Sequence, residues 1–236
     1  MQRPAAYDDG HHADVSGGWL RPAVFGAMDG LVTNIALIAG VGGGGVSVHT
    51  VILTGFAGLV AGAVSMGLGE YTSVRTQNDQ VAHEVAKERH ELENYPEIEA
   101  EELAGIWIAR GLPEPLARQV ALELSKHPEE ALRVHAQEEL GINPAEQPSP
   151  WIAAFSSFLC FSIGALVPLL PYLLGARVLW VSLAVGGVGL FVAGALTARF
   201  TSRSWFGSGV RQFALGLAAA GITYVIGTLI GVSGVG

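Results

Sequence analysis

Five long apolar runs dominate the pattern of hydrophobic and polar positions along this chain. They cover about residues 22–43, 47–70, 151–173, 177–199 and 209–233. A helix needs roughly 20 apolar residues to cross the hydrocarbon core of a bilayer. Each run therefore predicts one membrane-spanning helix, and the expected fold class is an all-α membrane protein with five transmembrane helices.

Glycine and proline mark the ends of these runs. Four consecutive glycines, residues 42–45, separate the first two runs and favour a tight turn. Pro168 and Pro171 interrupt the third run. Because proline has no N–H and its ring clashes with the preceding turn, we expect the third helix to kink or end there. The chain should then leave this helix near Gly175.

The polar segment between the second and third runs, residues 71–147, also has a helical pattern. Its first helix should continue the second span without a break to about Asn94, because Pro96 follows. Three further helices are expected over about 96–110, 113–126 and 128–140. A proline-rich linker, residues 143–150, should then lead back to the membrane.

Composition and charge separate this segment from the rest of the chain. Half of the residues are hydrophobic, and 17 of the 21 acidic residues lie between Glu70 and Glu146. The net charge of −8 thus comes from the polar segment and argues against binding of nucleic acid. The single cysteine, Cys160, rules out a disulfide framework within the chain.

Lysine and arginine predict the orientation. With the N-terminus inside, 12 of the 13 basic residues lie inside and only Arg177 lies outside. We therefore expect a cytosolic N-terminus and polar segment, with the C-terminus outside. The first residues lack the pattern of a secretory signal, and the loops are short. This indicates an integral protein of a prokaryotic cell membrane, or of a vacuolar membrane if the chain is eukaryotic.

Four domains follow from these patterns. Residues 1–20 are expected to form a disordered N-terminal tail, and residues 21–70 the first two transmembrane helices. Residues 71–147 should form a cytosolic helical domain, which the chemistry below makes a candidate metal-binding domain. Residues 148–236 should contain transmembrane helices three to five.

Acidic side chains recur at helical spacing in the polar segment. Glu84, Glu88 and Glu91 are spaced to form one stripe on a helix, and Glu99 and Glu102 form a second pair. Like charges at this spacing destabilise a helix by a few tenths of a kcal/mol per pair. A divalent cation bridging the helices would offset the repulsion, but a solvated acidic face has the same pattern. The last helix ends with two more acids, Glu138 and Glu139.

One acid lies well inside an apolar run. Asp29 in the first run would cost about 2.5–3.5 kcal/mol to insert as an ion, so it is either functional or a hydrogen-bonded or protonated packing residue. Thr33 follows one turn later, with Asn34 close by, so a polar track is expected along this helix as part of an ion path. Met66 offers a thioether that binds transition metals weakly, although packing is its commoner role. Glu70 lies at the predicted cytosolic end of the second run, where an acid costs little.

Several catalytic motifs are absent from the sequence. It contains no G-x-x-x-x-G-K-[ST] and no H-E-x-x-H, and its polar segment has no E-x-x-H of the kind that di-iron helical bundles use. These absences disfavour an ATPase, a zinc protease and a ferroxidase. The chain is therefore expected not to be an enzyme.

Several segments together resemble the signatures of one transporter family, the vacuolar iron transporter (VIT) family. They are Asp29-Gly30-Leu31-Val32-Thr33 with Gly40-Val41, then residues 61–71 (AGAVSMGLGEY) with Ser73-Val74, Ala109-Arg110-Gly111-Leu112, Glu138-Glu139-Leu140-Gly141, and Thr201, Arg203, Arg211-Gln212, Gly216 and Thr223-Tyr224. The resemblance covers roughly residues 20–233. It implies five spans, a helical insert between the second and third, and a homodimer with the ion path at its two-fold interface.

The resemblance also implies a function and roles for particular residues. Its members move Fe2+, and often Mn2+, out of the cytosol in exchange for protons. By position, Asp29 and Met66 would line the ion path, and the metal ligands of the insert would be Glu88, Glu91, Glu99, Glu102 and Glu139. His135 and Ala136 stand where plant members have two methionines. An imidazole still suits Fe2+ or Zn2+, whereas Ala136 offers no ligand.

Two functions therefore compete. The first is a divalent metal transporter that captures ions on the insert and exchanges them for protons at Asp29. The second is a membrane-anchored iron or divalent metal buffer or sensor that binds ions without moving them. Carboxylates serve Fe2+ and Mn2+ alike, so residue types do not separate these two metals.

Overall fold

The computed structural model describes residues 18–144, 146–200 and 203–232. These residues form helices and connecting turns, without a strand among them. The helices are α1 (Leu20–Gly43), α2 (Val48–Asn94), α3 (Pro96–Ala109), α4 (Glu114–Leu124), α5 (Pro128–Glu138), α6 (Pro150–Leu166), α7 (Leu170–Leu173), α8 (Leu179–Thr197) and α9 (Trp205–Val232). The predicted N-terminal tail lies outside the described residues, apart from its last three positions.

Five segments are long and apolar enough to cross a membrane. They are Leu20–Gly43, Val48–Asn94, Pro150–Leu173, Leu179–Phe200 and Trp205–Gly231. The predicted fold class, an all-α membrane protein with five transmembrane helices, is therefore confirmed. The second helix does continue through the polar segment to Asn94 as one helix of 47 residues.

The chain divides into two compact units. One, here called the membrane unit, comprises Met1–Tyr71 and Trp151–Gly236. The other, here called the insert, comprises Thr72–Pro150. The first part of α2 belongs to the membrane unit and its last part belongs to the insert.

In the membrane unit, α1 packs closely on its neighbours through glycine. A Cβ added at Gly26 would lie 2.5 Å from the backbone oxygen of Ser157 in α6. A Cβ at Gly231 would lie 2.6 Å from the oxygen of Gly44, at the end of α1 next to α9. Any larger residue at these two glycines would therefore force the helices apart. Small residues allow the backbones of membrane helices to pack closely.

The third span breaks at its prolines, as predicted. The α-helix α6 ends at Leu166, a 3-10 turn covers Val167–Leu169, and α7 adds one short turn. The break leaves carbonyl groups without helical partners, and side chains from neighbouring helices supply donors. The Ser182 hydroxyl of α8 donates to the Pro168 carbonyl oxygen, and the Asn34 amide of α1 donates to the Ala165 carbonyl oxygen at 2.5 Å.

The insert is a small helical domain whose core is largely alanine. Its buried cluster contains Ala100, Leu103, Ala104, Ala117 and Ala121, from α3 and α4. Proline occupies the first helical position of α3 and of α5, where its missing N–H costs no hydrogen bond. Gly111 and Gly141 have positive φ angles of 101° and 65°, so they turn the chain soon after α3 and α5. Small core residues bring the helices of the insert close together.

Candidate metal centre

Four potential metal ligands meet in the insert. Glu88 comes from α2, Glu99 from α3, His135 from α5, and Glu139 directly follows α5. One ligand atom from each side chain lies within 4.8 Å of the others. The Nδ1 atom of His135 lies 3.1 Å from Glu88 Oε1, 3.2 Å from Glu139 Oε1 and 3.8 Å from Glu99 Oε2. Three chain segments thus converge on one point, here called the acidic cluster.

Three of the four side chains in the acidic cluster are almost fully removed from solvent, and Glu139 is half-buried. His135 is 1% exposed, Glu88 5% and Glu99 6%. The fold produces this burial because Glu99 precedes the alanine core positions on α3, and His135 lies next to the fully buried Ala136 on α5. Buried carboxylates are rare unless they are paired or bind metal.

Burial and mutual repulsion raise the proton affinity of these carboxyl groups. The pKa of Glu88 rises from 4.5 to about 7, mainly through burial and then through repulsion by Glu139, while His135 opposes the rise. The pKa of Glu139 also rises to about 7, through burial and then repulsion by Glu102 and Glu99. Burial and Glu102 raise the pKa of Glu99. Three carboxylates face a single imidazole, so the cluster carries net negative charge when the carboxylates are ionised.

The donor set fits a divalent transition metal. Glu88 Oε1 is buried and forms no hydrogen bond with any described residue, although the His135 ring is near. Three carboxylates with one imidazole offer oxygen and nitrogen ligands of the kind that Fe2+, Mn2+ and Zn2+ accept. A bound cation would satisfy the unpaired oxygen and remove the repulsion that raises the pKa values.

Two of the predicted acids, Glu91 and Glu102, lie near the cluster but are not among its four converging ligands. The carboxylate of Glu91 lies 3.7 Å from the Lys87 ammonium and is partly exposed. Glu102 is exposed, and its charge contributes to the raised pKa of both Glu99 and Glu139. Both residues therefore add to the negative potential around the cluster.

The remaining two predicted acids of the insert lie elsewhere. Glu138 forms an ion pair with Arg110, so its carboxylate already has a partner. Glu84 is half-buried on α2, one turn before Glu88, and is not one of the four converging ligands. Of the eight residues predicted as metal ligands, the structure brings together Glu88, Glu99, His135 and Glu139.

In the membrane unit, Asp29 and Thr33 form a pair on α1. The Thr33 hydroxyl donates to the Asp29 carboxylate at 3.2 Å, and Asp29 is half-buried while Thr33 is exposed within the chain. Asn34 has a different environment, because it is 1% exposed and donates to the Ala165 carbonyl oxygen of α6. The expected polar track on α1 therefore consists of Asp29 and Thr33, with Asn34 bound to the neighbouring helix.

Met66 and Glu70 lie one helical turn apart on α2. Met66 packs against a core cluster that contains Phe161 and Ala165. Glu70 is 7% exposed, and its Oε2 atom is buried without a hydrogen-bond partner among the described residues. Ser157 on α6 has a similarly unpaired hydroxyl among the described residues, and nothing in the sequence distinguishes it, because a serine within a span is commonplace.

Comparison with known proteins agrees with this architecture. A family model described as "VIT family" matches residues 20–228. The vacuolar iron transporter of Acanthamoeba castellanii is 39% identical over 203 residues, covering 80% of this chain and 74% of the relative. Vacuolar iron transporter 1 of Oryza sativa subsp. japonica is 31% identical over 228 residues, covering 94% and 90%. Vacuolar iron transporter 1 of Tulipa gesneriana is 31% identical over 210 residues, covering 88% and 85%.

The names of these relatives describe transporters, in agreement with the expectation that this protein is not an enzyme. Their alignments and the family match extend over the membrane unit and the insert alike. This protein, an integral membrane protein and metal transporter, belongs to the VIT family.

Proposed function

We propose that this protein moves Fe2+ out of the cytosol, with Mn2+ as a second substrate, in exchange for protons. The observation that carries the proposal is the acidic cluster, in which three carboxylates and one imidazole lie within 4.8 Å. The naming of its relatives as iron transporters supports iron as the cargo. Ions of the same charge and similar ligand preference, such as Mn2+, would use the same site.

The insert would act as the capture site for the cargo. Its acids create a negative potential that raises the local concentration of divalent cations. Glu88, Glu99, His135 and Glu139 would bind the ion, and Glu91 and Glu102 would supply further negative charge nearby. Because metal ligation requires ionised carboxylates, capture is stronger above about pH 7, where Glu88 and Glu139 are deprotonated.

Asp29 would couple ion and proton movement in the membrane unit. Its carboxylate is held by the Thr33 hydroxyl at 3.2 Å and is the one acid within the apolar part of the first span. Loss of a proton from Asp29 would allow it to take the ion, and reprotonation from the far side would release the ion. Met66 and Glu70 on α2 are the other proposed members of this path. The path would lie at the interface of a homodimer.

The proposed orientation places the N-terminus and the insert in the cytosol and the C-terminus outside. The distribution of lysine and arginine supports it, with 12 basic residues on one side and one on the other. Transport in this direction would export metal from a prokaryotic cell, or fill the vacuole of a eukaryotic one.

The test is Fe2+ flux into proteoliposomes that contain the full-length protein, with and without an imposed pH gradient. Flux that follows the proton gradient in the wild type and disappears in Asp29→Asn would support proton-coupled transport through Asp29. Wild-type flux that ignores the pH gradient would contradict antiport.

A metal buffer or sensor is the second candidate, because the acidic cluster is complete within the insert alone. This alternative predicts metal binding without flux. Titration of the full-length protein with Mn2+, beside the flux assay, separates the two functions. Binding with no flux from a correctly reconstituted protein would favour the buffer or sensor.

A further inference from the structure

A cavity of about 300 Å³ opens at the start of α9 in the membrane unit. It is lined by Arg203, Ser204, Gly207, Ser208 and Arg211. Gly207 and Ser208 lie three and four residues after Ser204, and Arg211 lies four and three residues after them, so the four residues lie on one helical face. Arginine and hydroxyl donors are thereby collected at one end of a 28-residue helix.

In the part of the chain that the structure describes, no acid pairs with the two arginines of this cavity. The sequence contains no Asp or Glu after Glu146. Within the described residues neither Arg203 nor Arg211 forms an ion pair, whereas all five arginines of the insert do. The N-terminal end of α9 adds the partial positive charge of unpaired backbone N–H groups. The cavity therefore favours an anion.

Ser208 supplies independent evidence for a ligand. This residue is 6% exposed and lines the cavity. Its backbone N–H donates to the Ser204 carbonyl oxygen at 3.0 Å, but its hydroxyl has no hydrogen-bond partner among the described residues. This hydroxyl is therefore free to donate a hydrogen bond to an acceptor in the cavity.

The surroundings of the cavity match the boundary between the membrane and water. Trp205 and Phe206 at the start of α9 are 62% and 57% exposed, and aromatic rings of this kind concentrate at membrane interfaces. Farther along α9, apolar side chains such as Leu215 and Leu217 are also exposed, as expected for a surface that faces acyl chains. An anion bound here would thus lie at the level of lipid headgroups.

We propose that this cavity binds the phosphate group of an anionic phospholipid, with the acyl chains of that lipid lying along the apolar surface of α9. The guanidinium groups of Arg203 and Arg211 would donate to the phosphate oxygens, and the Ser208 hydroxyl would donate a further hydrogen bond. This lipid site is separate from the acidic cluster and from Asp29, and its existence does not depend on the proposed transport of iron. Free phosphate shares the same chemistry, so the test must distinguish the two sources.

The experiment measures lipid retention by the full-length protein in detergent. Native mass spectrometry follows binding of phosphatidylglycerol and of phosphatidylcholine to the wild type and to Arg203→Gln/Arg211→Gln. The matched control is Arg21→Gln/Arg177→Gln. It removes two exposed arginines that lie outside the cavity, one at the start of α1 and one between α7 and α8. Ser208→Ala is a milder second variant. Thermal unfolding of the wild type with phosphatidylglycerol, and with inorganic phosphate at the same concentrations, tests the free ion.

We expect the wild type to bind phosphatidylglycerol at least about tenfold more tightly than phosphatidylcholine. The double arginine variant should bind phosphatidylglycerol about 30-fold more weakly, Ser208→Ala about threefold more weakly, and the control about as tightly as the wild type. Equal retention by the double variant and the control would overturn the proposal. Stabilisation of the wild type by inorganic phosphate equal to that by phosphatidylglycerol would overturn the assignment to a lipid.

Discussion

The insert and the membrane unit bury polar groups in opposite ways. In the insert, three carboxylates and an imidazole lie within 4.8 Å of one another, and the carboxylates repel each other when they are ionised. In the membrane unit, the unpaired buried atoms of Asn34, Glu70 and Ser157 are distributed over three helices that approach one another through glycine. Clustered charges indicate a site that is completed by a cation, whereas dispersed polar atoms occur within a closely packed helical scaffold.

The largest expected effect concerns this helical scaffold. A Cβ at Gly227 in α9 would collide with the backbone oxygen of Gly40 in α1, so Gly227→Ala must separate the two helices. We expect loss of most folded protein, measured as the monodisperse yield after solubilisation. Gly221→Ala is the matched control on the same helix, because nothing lies within 4 Å of its Cβ. Equal yields from the two variants would show that the close α1–α9 approach is not required.

Asp29→Asn tests whether the membrane unit contains the coupling acid. The substitution keeps the size of the side chain and its contact with Thr33 but removes the exchangeable proton. We expect Fe2+ flux to fall by about 100-fold or more in proteoliposomes, which corresponds to about 2.7 kcal/mol. Binding of Mn2+ to the insert, measured by calorimetry, should be unchanged. Wild-type flux in this variant would rule out Asp29 as the coupling site.

Glu88→Gln tests the clustered charges of the insert. It removes one ligand and one buried negative charge from the acidic cluster. We expect the affinity of the full-length protein for Mn2+ to fall by about tenfold or more, measured by calorimetry at about pH 7.5. Glu93→Gln is the matched control, because Glu93 is exposed on the same helix and outside the cluster. A similar loss in both variants would attribute binding to overall charge instead of to ligation.

The smallest expected effect is a dependence of stability on pH. Glu88 and Glu139 have pKa values of about 7 in the fold, against an ordinary value of 4.5. Their contribution to stability is therefore complete below about pH 4.5 and is lost as the pH rises through 7. Compared with Glu88→Gln/Glu139→Gln, the metal-free wild type should lose a few degrees more in Tm between about pH 5 and pH 8.

Addition of Mn2+ should reverse this loss, since a bound cation replaces the protons. The reversal should be larger at about pH 8 than at pH 5, because more carboxylates are ionised there. Differential scanning fluorimetry on the full-length protein provides both measurements. If wild type and double variant showed the same pH dependence, the two carboxyl groups would not have raised pKa values.

The sequence was sufficient to predict the helices, because their signals are local. Apolar runs of about 20 residues identified the spans, Pro168 identified the break in the third span, and Pro96 and Gly111 bounded a helix of the insert. Bilayer thickness sets the length of each apolar run at about 20 residues, and proline and glycine restrict the backbone at single positions. Tertiary contacts therefore changed the predicted boundaries by only a few positions.

The composition of the acidic cluster could not be predicted from spacing alone. Glu138 and Glu139 are neighbours in the sequence, yet one pairs with Arg110 and the other joins His135. Likewise, Asn34 lies next to Thr33 but points to α6, because one residue along a helix corresponds to a rotation of about 100°. The contacts between helices decide which of several similar side chains converge.

Arg203 and Arg211 illustrate a different limit of prediction from the sequence. Their charges were informative about orientation, but the sequence did not indicate that Ser208 would be buried beside them. A lack of acids after Glu146 was the available signal. It identifies arginines without partners but does not place them around one cavity.

The contact between α1 and α9 has a consequence for the order in which this protein is made. The Thr223 hydroxyl donates to the Ala36 carbonyl oxygen across a separation of 187 residues. At synthesis rates of about 5–20 residues per second, α1 emerges from the ribosome roughly 10–40 s before the partner that covers it. We expect α1 to wait in the bilayer during that interval, and site-specific crosslinking of arrested nascent chains would reveal an α1–α9 contact only after α9 has entered the membrane. Assembly of the membrane unit thus waits for α9.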